Sequence, residues 1–157
     1  MTPSHRSLFV LIAIVGFLGI LNAAYLSWSA FLGDAPTCFL NSGCDIVAAS
    51  SYSRVWGIPL ATFGVFFYSM IVGFALWRAF SPRVIVLPYL LPLSALGFIL
   101  SLYFLYLQAF VIGAYCEYCL FSLFDATVIF SATLYLWVKG RKQGTLEETT
   151  TEDHGSI

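Results

Sequence analysis

Four cysteines carry the reactive chemistry of this sequence, and they come in two closely spaced pairs. Cys38 and Cys44 form a C-x5-C pair, and Cys116 and Cys119 bracket the run Cys116-Glu117-Tyr118-Cys119. Such pairs can brace a fold as static disulfides, bind zinc through thiolates, or exchange electrons as dithiol and disulfide. A C-x-x-C disulfide closes so small a loop that it gains little from chain entropy, which argues against a brace. Zinc sites usually pair two short-spaced knuckles, and C-x5-C fits that pattern poorly. The C-x-x-C spacing at a helix start suits redox work, because free N–H groups at a helix N-terminus stabilise a thiolate. The residues therefore favour thiol–disulfide exchange and no metal.

The elements that must position these sulfurs are membrane spans. Of the 157 residues, 60% are hydrophobic and 10% charged, and the mean hydropathy is +0.89. A soluble domain of this size would leave much of that surface in water, whereas lipid can cover it. The net charge of −1 gives no sign of a nucleic-acid partner. A helix crosses a bilayer with about 20 apolar residues, and four stretches qualify, at about 8–28, 57–77, 84–107 and 117–138. The expected fold is an all-α, integral membrane four-helix bundle over residues 1–142, followed by a polar, disordered tail over 143–157. The alternative of a cleaved signal peptide at the first span fits less well, since its apolar run is long.

Arg6, Arg78, Arg83, Lys139, Arg141 and Lys142 share one side in this topology, and Arg54 alone lies opposite. The positive-inside rule then puts both termini in the cytoplasm. The 29–56 loop and the 108–116 loop fall outside, where disulfides persist. If the fourth span starts near Cys116, Cys119 lies about 4.5 Å deeper along the helix. One sulfur can then serve an aqueous thiol and the other a lipid-soluble partner. Asp125 is the one carboxylate deep in a span, about 13 Å below Cys116. An intramembrane carboxylate is costly, which makes it a candidate for proton transfer beside the plainer reading of a satisfied structural group. Phe63 and Phe67, spaced i, i+4 on the second span, are candidate walls for a planar ligand. Phe104 is left with the many aromatics that face lipid or neighbouring helices. Pro88 and Pro92 are expected to bend the third span.

Longer runs carry a resemblance. Gly43-Cys44-Asp45-Ile46-Val47-Ala48-Ala49-Ser50-Ser51, then Gly57-Ile58-Pro59-Leu60-Ala61 and Phe63-Gly64, are similar to the vitamin K epoxide reductase (VKOR) family. So are Tyr103-Phe104-Leu105-Tyr106-Leu107-Gln108 and Val111-Ile112-Gly113-Ala114-Tyr115-Cys116-Glu117-Tyr118-Cys119-Leu120. The C-x5-C spacing resembles bacterial and archaeal members. The resemblance implies a four-helix bundle around a quinone, with a short interfacial helix in the first outer loop. It implies that Cys38 exchanges with a thioredoxin-like (DsbA-like) protein, that Cys44 relays to Cys116, and that Cys119 reduces the quinone, ubiquinone or menaquinone. Ser50 resembles the family's serine on the capping half-helix and is a quinone-binding candidate with Phe63 and Phe67; as a plain residue it also suits a helix cap.

At the positions where vertebrate members hold quinone oxygens with an asparagine and a tyrosine, this sequence has Ser53 and Leu123. Leu123 has no side-chain hydrogen bond to offer, so an ordinary quinone is expected rather than a vitamin K epoxide. No fused thioredoxin-like domain is expected, making the thiol partner a separate extracytoplasmic protein. The implied location is a bacterial or archaeal plasma membrane. DsbB shares the chemistry, but its C-x-x-C lies in the first outer loop rather than at the start of the fourth span. A membrane protein braced by two static disulfides is the reading from another functional class.

Overall fold

A computed structural model describes residues 3–34, 36–38, 43–81 and 86–153. Arg83 and Val84, expected in the second turn and at the start of span three, and His154 in the tail lie outside them. The chain is a helical bundle: α1 (Pro3–Leu32), α3 (Leu60–Phe80), α4 (Leu87–Tyr106) and α5 (Glu117–Asp153), with a short α2 (Gly43–Ala49) between α1 and α3. Among the described residues, four segments are long and apolar enough to cross a membrane, Arg6–Leu32, Leu60–Phe80, Leu87–Ile112 and Glu117–Gly140.

The bundle forms where side chains are small. A Cβ on Gly16 would lie 2.8 Å from Val72 Cγ2, and one on Gly19 would lie 2.6 Å from the Tyr68 ring. Such positions let α1 and α3 approach closely, which is how helices associate when lipid removes any hydrophobic advantage of burial. Ile12, Ile71, Ala75, Leu90 and Ile129 fill the interior. Phe17, Phe66, Ile99, Phe124 and many other apolar side chains are exposed, as lipid-facing residues are.

The first loop is more ordered than its polar composition suggests. After α2, a single 3₁₀ turn (Ser51–Ser53) leads into a two-stranded hairpin, β1 (Arg54–Val55) and β2 (Ile58–Pro59). Its two-residue turn, Trp56-Gly57, has positive φ at both positions, 51° and 82°, as tight hairpins require. Arg54 donates to the Ala30 carbonyl at 2.8 Å, tying the hairpin to the end of α1. Span two therefore begins at Leu60 rather than about Gly57, because Ile58 and Pro59 are paired in the hairpin.

Two further boundaries differ from expectation. Residues 108–116 were expected as a loop, but helix continues through a π-helical turn, Leu107–Ile112. Gly113, at φ 72°, ends it by donating its N–H to the Gln108 carbonyl at 3.0 Å. The apolar run Ala109–Ile112 sustains the helix, and glycine tolerates the left-handed stop. Past Lys142 the α5 backbone stays helical to Asp153; Leu146, Glu147 and Glu148 are good helix formers. Pro88 sits in the first turn of α4, where an N–H has no partner to lose, and only Pro92 lies inside the helix.

Candidate redox site

Both cysteine pairs lie at one end of the bundle, where Cys44, Cys116 and Cys119 line a cavity of about 820 Å³. The opposite end holds the start of α1 and the end of α3, where the Arg78 guanidinium lies 5.5 Å from the Phe9 ring centre. Cys38 and Cys44 form a disulfide with their Cα atoms 5.9 Å apart. Cys116 and Cys119 are thiols, the first buried and the second partly so. The loop pair is thus oxidised and the C-x-x-C pair reduced.

Two contacts hold the pairs together, and a third fixes Cys116. Gly43, at the start of α2, packs so tightly on the Tyr115 backbone that a Cβ there would collide with the Tyr115 carbonyl oxygen. This seats Cys44 against the residue preceding Cys116. From the other side, Tyr118, inside the C-x-x-C run, donates its hydroxyl to the Thr37 carbonyl at 2.9 Å and packs on the Tyr25 ring at 5.3 Å. Thr37 is thereby fixed beside Cys38. The Asn22 amide, on α1, in turn donates to the Tyr118 carbonyl at 3.0 Å.

Gln108 supplies the third contact. Its side chain is buried, and its Oε1 accepts the Cys116 backbone N–H at 2.7 Å. The amide satisfies a donor that the first turn of α5 leaves without an intrahelical partner. Cys116 N–H is held while the carbonyl of the same residue accepts from Cys119 and Leu120, both at 3.1 Å.

The Cys116 thiol is pulled down to about 7. A hydrogen bond from the Cys119 thiol does most of this, and the backbone N–H groups of Cys119 and Tyr118 help; burial and the Glu117 charge oppose it. Above that pH the thiolate predominates, and below it the unreactive thiol. Alkylation of Cys116 by a reagent small enough to enter the cavity is expected to rise between about pH 6 and 8 and then flatten. Mass mapping of alkylated peptides checks this; a midpoint near the ordinary thiol value of about 8.5 would contradict it.

The cavity wall collects most of the residues singled out from the sequence. Cys44, Cys116, Cys119, Ser50, Phe63 and Phe67 all line it. Phe104, which sequence pattern did not separate from the lipid-facing aromatics, lines it as well. Ser50 donates its hydroxyl to the Val47 carbonyl at 2.7 Å, and Ser53 donates to the Ser50 carbonyl at 2.8 Å, so both hydroxyls also serve the loop's own turns. Leu123 is not part of the wall.

Phe67 owes its place to Gly97, where a Cβ would collide with the Phe67 ring. Gly97→Ala is expected to push that ring into the cavity and raise the KM for a ligand there roughly tenfold, with a smaller effect on kcat. Unchanged KM in steady-state kinetics would show that Phe67 does not border the bound ligand.

Asp125 lies outside the wall, 2% exposed, and its Oδ2 has no hydrogen-bond partner among the described residues. Two wall residues connect the cavity to its neighbourhood. The Tyr68 hydroxyl meets Ser122 Oγ at 2.8 Å and donates to the Ser122 carbonyl at 3.1 Å.

Cys38 Sγ, Cys44 Sγ and a Glu117 carboxylate oxygen all lie within 4.8 Å of one another. A metal would need those sulfurs as thiolates, and the disulfide occupies both. Glu117, Gln108, Tyr118, Tyr68 and Gly43 were not chosen as site residues from the sequence. Gly43, Gln108, Glu117 and Tyr118 all lie in the family-like runs, which was the signal available for them.

Residues 10–134 match the family model described as "VKOR: Vitamin K epoxide reductase family".

Proposed function

The chain belongs to the vitamin K epoxide reductase family, and from that we propose that it is a thiol:quinone oxidoreductase carrying electrons from an external thioredoxin-like protein to a membrane quinone. The single observation that best supports this is the cavity of about 820 Å³ whose wall includes Cys44, Cys116 and Cys119 together with Phe63 and Phe67. Its volume suits a quinone head group, and its wall offers redox sulfur and aromatic faces at once.

In this reading the external thiol protein reduces Cys38–Cys44 by attack at Cys38. Cys44 then attacks Cys116 of an oxidised Cys116–Cys119 pair, and Cys38 resolves the mixed disulfide. Cys119, deeper in the bundle, gives up the electrons as the Cys116–Cys119 disulfide reforms. A quinone supplies the electron acceptor, and two protons accompany the two electrons. Ser50, Phe63 and Phe67 border the ring. Ubiquinone or menaquinone fits better than an epoxide, since Leu123 cannot hydrogen-bond a quinone oxygen and is absent from the wall. The grouping of Arg6, Arg78 and Lys139 at the end away from the cysteines supports an extracytoplasmic redox end and cytoplasmic termini. A bacterial or archaeal plasma membrane is the proposed location.

Asp125 is the proposed proton source, three residues along α5 from Ser122 on the cavity wall. Asp125→Asn is expected to slow quinone reduction about 10²-fold at neutral pH and to change its pH profile. An unchanged rate across pH removes the proton role.

The test of the function is purified protein in detergent with a reduced thioredoxin-like substrate and a soluble quinone analogue, followed by quinone absorbance. Thiol-dependent quinol formation supports the reading. A chain that binds quinone but gives no turnover, with a loop disulfide that resists mild dithiols, would leave the static-brace reading in its place.

A further inference from the structure

Glu117 stands where the two cysteine pairs meet. It belongs to the C-x-x-C run by sequence, yet its carboxylate lies within 4.8 Å of both sulfurs of the other pair. Electron transfer between the pairs also moves protons. Two thiols must lose theirs before they can attack, and two leaving thiolates must gain them. Among the described residues, this is the one carboxylate that clusters with both loop sulfurs.

We propose that Glu117 is the acid–base group of the step between the pairs, taking protons from Cys44 and Cys38 and returning them to Cys119 and Cys116. This rests on the relay proposed above and adds a group to it. In balance, Glu117 accepts the Cys44 proton, and the Cys44 thiolate attacks Cys116 of the Cys116–Cys119 disulfide. A Cys44–Cys116 bond forms, the Cys116–Cys119 bond breaks, and Cys119 leaves as a thiolate that takes the proton from Glu117. Glu117 then accepts the Cys38 proton, and Cys38 attacks Cys44. The Cys38–Cys44 disulfide closes, Cys116 leaves, and Glu117 protonates it. Two electrons and two protons have moved, and the carboxylate is restored.

The separation of up to 4.8 Å allows transfer through one water, and catalytic hydrogen bonds commonly tighten only when the reacting state forms. The surroundings suit the exchange. The titratable groups that cluster with the Glu117 carboxylate are Cys38 in the loop and Cys44 at the start of α2; Cys116 and Tyr118 adjoin it in the chain, and Asp45 adjoins Cys44 on α2. Asp45 is exposed and follows Cys44 on α2. Glu117 alone among these carboxylates clusters with both loop sulfurs.

The experiment uses full-length protein with all four cysteines reduced, mixed without oxygen with excess quinone analogue. The first quinol comes from Cys116 and Cys119, already reduced; the second requires the step between the pairs. Glu117→Gln is expected to slow the second phase about 10²-fold at pH 7. The deficit should shrink toward parity above about pH 9, where the thiols ionise unaided. Glu117→Asp should recover most of the rate, and the first phase shows that each variant is folded. A second phase that is unchanged or faster in Glu117→Gln overturns the proposal, as does a deficit that is the same at every pH. Absence of both phases in the unsubstituted protein would instead defeat the thiol:quinone reading.

Discussion

Cys119→Ala abolishes quinone reduction, with an expected loss of at least about 10³-fold. The reason is covalent: no other sulfur lies within the C-x-x-C turn to close a disulfide as the electrons leave. Cys119 is partly buried on the cavity wall, in the first turn of α5, so an alanine there leaves the helix and its packing essentially intact. The same substitution should accumulate a Cys44–Cys116 disulfide. Cys116, left with no partner in its own turn, can exchange with the oxidised loop pair and release Cys38. Non-reducing peptide mapping detects that bond. Turnover within tenfold of the unsubstituted protein, or a variant showing only the Cys38–Cys44 bond, would show that Cys119 is not the electron donor.

Gly43→Ala is the second large effect, and it separates the two halves of the relay. A Cβ at Gly43 meets the Tyr115 carbonyl oxygen, with the Tyr115 carbonyl carbon and nitrogen each 3.1 Å away. These are backbone atoms next to Cys116 and cannot swing aside as a side chain would. The start of α2 must shift instead, at a cost of about 1–3 kcal/mol, and it carries Cys44 with it. A misplacement of about 1 Å can cost 10²-fold in rate. Thiol-driven turnover is therefore expected to fall about 10²-fold. Oxidation of an already reduced Cys116–Cys119 pair should change little, because that pair and the cavity behind it stay in place. Equal losses in both assays would mean that α2 supports the cavity itself rather than the contact between the pairs.

Much of this was legible in the sequence because the signals were coarse and physical. Four apolar stretches of bilayer length, one-sided basic residues and paired cysteines do not depend on side-chain detail. The family resemblance then supplied motif-level expectations. Ser50, Phe63 and Phe67 were reachable that way, and the structure places all three on the cavity wall.

What escaped was set by contacts between distant segments. Gln108 closed a family-like run and opened what was expected to be a loop, with no role of its own assigned. Only the π-helical turn, which carries helix on to Ile112, brings its amide to Cys116. Gly43 opened a family-like run but was given no role, and Gly97 was not singled out, since nothing local shows that Tyr115 and Phe67 crowd them. Glu117 looked like a spacer between cysteines, because its nearness to Cys38 and Cys44 spans more than 70 residues of chain. Tyr118 was hidden for the same reason, its hydroxyl partner lying 81 residues away.

In the proposed relay the order is fixed: the loop pair feeds the C-x-x-C pair, and the C-x-x-C pair feeds the quinone. Counting quinols tests it most directly. Four cysteines hold four electrons when reduced, and each quinone takes two. Fully reduced protein mixed with excess quinone analogue in the absence of oxygen should yield about two quinols per chain. The Cys38→Ala/Cys44→Ala protein should yield about one, because only the membrane-side pair remains. Two quinols from that variant, or only one from the unsubstituted protein, would contradict a relay that runs from Cys38 and Cys44 through Cys116 and Cys119.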